Sequence, residues 1–81
     1  MKVRLLYFAV LRDITGKDED VLALPAGATP ADVWQTLRTT HAKLADYLQP
    51  PMLAINESYA SADTALRDGD ELAFIPPVAG G

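Results

Sequence analysis

This 81-residue sequence predicts an α+β fold, with one main helix laid across one face of a mixed β-sheet. Two observations carry that expectation. Two strand-like segments precede a single strong helix, and two or more follow it, an order that packs as one helical layer on one sheet. The helix also opens on the clearest start signal in the chain, Thr29-Pro30-Ala31-Asp32.

Taken in order, residues 2–10 (KVRLLYFAV) are rich in strand formers. Val3, Leu5 and Tyr7 fall on one face of that strand, and Lys2, Arg4, Leu6 and Phe8 fall on the other. The polar start of the even set turns the odd set toward the core, which leaves Leu6 and Phe8 facing away from it. Leu11 to Thr15 reads as a short helical turn closed by Gly16. Residues 17–20 (KDED) read as a charged loop, and Val21, Leu22 and Leu24 as a second strand ended by Pro25 and a turn at Gly27.

Thr29 is the N-cap of the main helix. Pro30 takes the first helical position, where a missing N–H is no loss, and Asp32 stands three residues after the cap. Val33, Leu37 and Leu44 recur at helical spacing with Trp34 and His41 beside them, so the helix runs from Pro30 into the early forties. Pro50-Pro51 bars it from going further. Met52 to Ile55 forms a third strand, Asn56-Glu57-Ser58 its turn, and Tyr59-Ala60 a brief returning pair. Asp68-Gly69-Asp70 turns the chain into a last strand, Glu71 to Ile75. The first and last strands are expected side by side in the middle of the sheet. The folded body covers residues 1–75, and residues 76–81 form an extended tail.

Composition narrows the function. A chain this short closes one modest core, and a deep ligand cavity would consume much of it. Eleven acidic residues against seven basic give a net charge of −4, and no basic run is present, so nucleic acid is not the expected ligand. There is no cysteine, which removes disulfides, thiolate nucleophiles and cysteine metal sites together. No stretch approaches the apolar length of a membrane helix, and the run from Leu5 to Leu11 is cut by Arg12-Asp13 without a cleavage site, so a cytoplasmic protein is expected.

Catalytic groups are equally scarce. His41 is the single histidine, so this chain builds neither a triad nor a two-histidine metal site. Gly16-Lys17 lacks the earlier glycine of a phosphate loop, and Asp18, Glu19 and Asp20 lack calcium-loop spacing. No metal and no bound cofactor are expected.

What remains is the end, Phe74-Ile75-Pro76-Pro77-Val78-Ala79-Gly80-Gly81. Six residues beyond the last strand reach roughly 20 Å when extended. Pro76 and Pro77 bias the start of the tail away from sheet pairing. Gly80 and Gly81 carry no side chain, so the terminal carboxylate can enter a channel too narrow for other residues. Activated with ATP as an acyl adenylate, that carboxylate becomes an acyl donor. Sulfur attack then gives a thiocarboxylate, and lysine attack gives an isopeptide.

This ending, with LLYFAVLRDITG near the start and LAIN at 53–56, strongly resembles the F-x-P-P-V-x-G-G pattern of the small sulfur-carrier subunits of molybdopterin synthase, the MoaD family. The resemblance spans nearly the whole chain. It implies a ubiquitin-like β-grasp fold for residues 1–75. It also implies that an ATP-dependent activating enzyme adenylates Gly81 and that a sulfur-transfer protein supplies the thiocarboxylate sulfur. Gly80 gives clearance as the tail enters the large synthase subunit, where two carriers supply the sulfurs of one pterin dithiolene. ATP is then consumed by the activating enzyme and not bound here, the catalytic residues belong to the large subunit, and the assembly is a heterotetramer with one small subunit at each end.

The misdirected apolar residues fit a docking role. Phe8 faces away from the core by parity, Ile75 is out of phase with Leu72 and Phe74, and Tyr59 follows a tight turn. These three, continued by Pro76, Pro77, Val78 and Ala79, are the expected partner-binding surface. Rival readings are a sulfur carrier of the thiamin or tRNA-thiolation type, a ubiquitin-like protein modifier joined through Gly81, and an interaction domain with an inert tail.

Overall fold

A computed structural model describes residues 1–75, and its elements follow from local chemistry. Strand β1 spans Lys2–Tyr7, helix α1 Val10–Thr15, β2 Glu19–Ala23, helix α2 Pro30–Thr40, β3 Met52–Ile55, β4 Ser58–Ala60 and β5 Glu71–Ile75; a 3-10 turn at Ala42–Leu44 follows α2. The sheet order is β2-β1-β5-β3-β4, with β1 and β5 parallel and every other pairing antiparallel. The first and last strands are therefore neighbours inside the sheet, as the sequence led one to expect.

The start of α2 is capped on both sides. The Thr29 hydroxyl accepts from the Asp32 N–H at 3.3 Å, and the Asp32 carboxylate accepts from the Thr29 N–H at 2.9 Å. This reciprocal pair satisfies two otherwise orphaned donors and fixes where the helix begins. α2 then buries Val33, Trp34 and Leu37 against the sheet. Trp34 and Phe74 meet with ring centroids 5.0 Å apart, and the Trp34 indole N–H donates to the Tyr47 carbonyl at 2.9 Å. Val3, Leu5 and Tyr7 of β1, Leu53 of β3, and Leu72 and Phe74 of β5 complete the sheet side of the core. At about 25 cal/mol per Å² of apolar surface, such residues supply most of the gross stabilisation of a domain this small.

Three boundaries differ from the sequence reading. β1 stops at Tyr7 instead of Val10, because Ala9 adopts φ 49° and turns the chain into α1. Glu19 and Asp20 belong to β2 and not to a loop: they pair with Leu6 and Leu5, and their charges are answered by Arg4 (2.9 Å) and Lys17 (3.1 Å). α2 ends at Thr40, and Leu44 reaches the core from the separate 3-10 turn.

Candidate functional site: the outer face of the sheet

Helix α2 covers one face of the sheet, and the pairing register dictates what stands on the other. Across β1, β5, β3 and β4 the residues Leu6, Ala73, Ala54 and Tyr59 form one row, each opposite the next. One step toward the C-terminal end of β5, Ile75 lies opposite Met52, and Phe8 extends the same face beyond β1. Two alanines at the centre and larger side chains around them leave a shallow hollow of about 310 Å³, lined by Leu6, Phe8, Ala54, Tyr59, Ala73 and Ile75 with Glu57 and Glu71 at its rim.

Phe8, Tyr59 and Ile75 thus converge on one surface, although Tyr59 comes from an edge strand that does not pair with β1. Phe8 is 46% exposed and Tyr59 74% exposed, whereas Ile75 is only half-buried between its strand neighbours. Met52, 62% exposed beside Ile75, belongs to the same surface and was not singled out from the sequence. Its signal was parity: Met52 shares a face with Ala54, opposite to the core residue Leu53. Gly81, Gly80, Pro76, Pro77, Val78 and Ala79 lie outside the described residues. Ile75, the last one described, lies at the edge of the hollow, on the strand at the middle of the sheet.

A second set of contacts braces β1 where it approaches Phe8. The Tyr7 hydroxyl donates to the Asp20 carboxylate at 3.1 Å, Lys17 pairs with the same carboxylate, and the Tyr7 N–H donates to the Asp18 carbonyl at 2.8 Å. Burial, and after it the hydrogen bond and negative charge of Asp20, raise the Tyr7 phenol above its ordinary value. The hydrogen bond from Lys17 is the main reason that Asp20 is held below the ordinary carboxylate value, against a smaller opposing desolvation. Toward the other end of the face, Arg4 bridges Glu19 at 2.9 Å and Glu71 at 3.2 Å. Among the described residues, no group of three or more His, Cys, Asp or Glu is placed to hold a metal, and no helix is long and apolar enough to cross a membrane.

A hollow of this shape, apolar and shallow, suits contact with another protein surface better than enclosure of a small molecule. A five-stranded mixed sheet with central parallel β1 and β5 and one helix across one face defines a ubiquitin-like β-grasp protein. The chain belongs to the ThiS family, whose model matches residues 5–81. It is 35% identical to the molybdopterin synthase sulfur carrier subunit of Chlamydomonas reinhardtii over the full length of both chains (100% of each). Among solved structures, it is similar to a putative molybdopterin converting factor subunit 1 from Pyrococcus furiosus, with TM-score 0.81, 31% identity, and 96% of this chain and 99% of that one covered. It is also similar to SAMP1 from Haloferax volcanii, with TM-score 0.83, 26% identity and 100% of both chains covered.

Proposed function

We propose that this chain is the sulfur-carrier subunit of a molybdopterin synthase, working in the cytoplasm with a large catalytic subunit. The observation that carries the proposal is the position of Ile75: the strand that feeds Pro-Pro-Val-Ala-Gly-Gly ends on the rim of the apolar hollow holding Phe8 and Tyr59. A partner seated on that hollow would meet the start of the last six residues at once, and these would reach roughly 20 Å if extended, enough to enter a buried active site. The full-length relative bearing the carrier's name supports the same reading.

In this scheme the Gly81 carboxylate attacks the α-phosphorus of ATP on an activating enzyme, forming an acyl adenylate and releasing pyrophosphate. A persulfide sulfur from a sulfur-transfer protein displaces AMP, and reductive cleavage of the resulting acyl disulfide by a thiol leaves the thiocarboxylate. In the large subunit the thiocarboxylate sulfur attacks a carbon of the pterin precursor and displaces an oxygen substituent to give a thioester. Hydrolysis of the acyl–sulfur bond leaves the sulfur on the pterin and returns the Gly81 carboxylate. Gly80 and Gly81 let the reacting end pass a narrow entrance, and the folded body supplies binding energy remote from the chemistry. ATP is used by the activating enzyme, and the catalytic side chains are those of the large subunit.

The test is the intact mass of the chain after incubation with ATP, the activating enzyme and a sulfur donor, beside a Gly81-deleted control. A gain equal to one oxygen exchanged for one sulfur, absent from the control, is the expected result. An unchanged mass under conditions that charge an authentic carrier overturns the proposal. The likeness to SAMP1 supports a second reading, a modifier joined to lysines through Gly81, whose product would be an isopeptide.

A further inference from the structure

We infer that Glu57 is a specificity residue of the docking face, placed to meet a basic side chain of the large subunit that seats on the hollow; the inference rests on the proposed carrier function. Asn56 and Glu57 form a two-residue turn between the paired residues Ile55 and Ser58, with φ values of 51° and 70°. Both central residues of such a turn need positive φ, and the second is the position where glycine is strongly preferred. Glutamate has a Cβ and is strained there, and strain of this kind persists where the surroundings enforce it.

The surroundings do enforce it. The Asn56 N–H donates to the Glu71 carbonyl at 2.8 Å, the Asn56 side-chain oxygen accepts from the Glu71 N–H at 2.9 Å, and its amide nitrogen donates to Asp70 at 2.9 Å. The turn is clamped to the start of β5, so Glu57 is held at the rim of the hollow that Tyr59, Ile75 and Phe8 line. Among the described residues Glu57 makes no ion pair and no side-chain hydrogen bond, unlike its neighbour Glu71, which Arg4 engages.

Charge completes the argument. Of the cations beside the hollow, Arg4 is shared between Glu19 and Glu71, and Arg12 pairs with Asp18 at 3.8 Å. The charged residues lining the hollow itself are Glu57 and Glu71, and Arg4 pairs with Glu71 but not with Glu57. The rim is therefore locally acidic, and a partner with an arginine or lysine at the edge of an apolar contact is complementary to it. An isolated rim charge acts mostly on encounter rate and on the choice of partner. A carboxylate kept at a glycine position gives that choice a fixed geometry.

The experiment measures binding of the full chain to the purified cognate large subunit at low and high salt, together with thermal unfolding, for Glu57→Gln, Glu57→Gly, Glu57→Asp and Phe8→Ala. Glu57→Gln is expected to weaken binding about five- to tenfold at low salt and to flatten its salt dependence, whereas Glu57→Asp keeps that dependence. Glu57→Gly is expected to weaken binding similarly while raising Tm by a few degrees, because it relieves the strained φ. Stability and affinity moving in opposite directions is a result that a merely structural turn residue would not give. Unchanged affinity and salt dependence in Glu57→Gln, while Phe8→Ala weakens the complex, would overturn this inference and leave the docking face intact. Unchanged affinity in both would remove the docking face itself.

Discussion

The two faces of the one sheet are built from the same strands, yet one is buried and the other is open. On the inner face Val3, Leu5, Leu72 and Phe74 are fully covered by α2 and its neighbours. On the outer face the intervening residues of β1 and β5, Leu6, Ala73 and Ile75, border a hollow that none of the other described residues covers, with Phe8 and Tyr59 standing out beside it. Residues one position apart along a strand are thus placed in the core or on the open face by pleat alone. An apolar side chain on the outer face stabilises the domain little and becomes useful when a partner covers it.

The largest effect is expected on the inner face. Phe74→Ala removes a buried ring packed on Trp34 and should cost about 3–5 kcal/mol, a large share of the stability of a domain this size. Chemical denaturation would show it as a much lower midpoint with the slope nearly unchanged. The matching change outside, Phe8→Ala, should shift stability by less than about 1 kcal/mol yet weaken the complex with the large subunit by about tenfold or more. Calorimetry of binding, run beside denaturation, separates the two; loss of the fold in Phe8→Ala would show that parity had been misread.

A smaller effect sharpens the border between the faces, where Tyr7 is buried but its hydroxyl reaches Asp20. Tyr7→Phe should cost about 1 kcal/mol. The folded Tyr7 phenol titrates above its ordinary 10.0, so its contribution is fully present below that pH and is lost as pH rises above it. Alkaline unfolding curves should therefore fall more steeply above pH 10 in the parent chain than in Tyr7→Phe. The smallest effect is expected at Arg4, whose side chain is half exposed between Glu19 and Glu71. Arg4→Ala should change stability by less than about 1 kcal/mol at moderate salt, measured by thermal unfolding.

Much of the fold was legible because its signals are local. The cap at Thr29, the prolines at 50 and 51, and the turn at Asp68-Gly69-Asp70 each act through the backbone of their own segment, and the elements they bound fall where they point. Ala9 was illegible because an alanine at φ 49° has no compositional mark. Glu19 and Asp20 were read as loop because their partners, Leu6, Leu5 and Arg4, are supplied by another strand. The outer face was half legible. Parity along single strands named Phe8 and Ile75, and the turn before Tyr59 named that residue. The alanine floor and the clamped Glu57 emerge only from register between strands far apart in the chain, whereas Met52 carries a parity signal within its own strand.

The most direct test of the central claim starts from the chain carrying a Gly81 thiocarboxylate, mixed with the large subunit and the pterin precursor, with the mass of the carrier followed over time. The thiocarboxylate is expected to return to a carboxylate as dithiolene product forms, with two carriers consumed for each product molecule, and Phe8→Ala is expected to slow the exchange. A thiocarboxylate that persists beside an active large subunit, or a carrier that leaves the reaction joined to lysine, would contradict that claim.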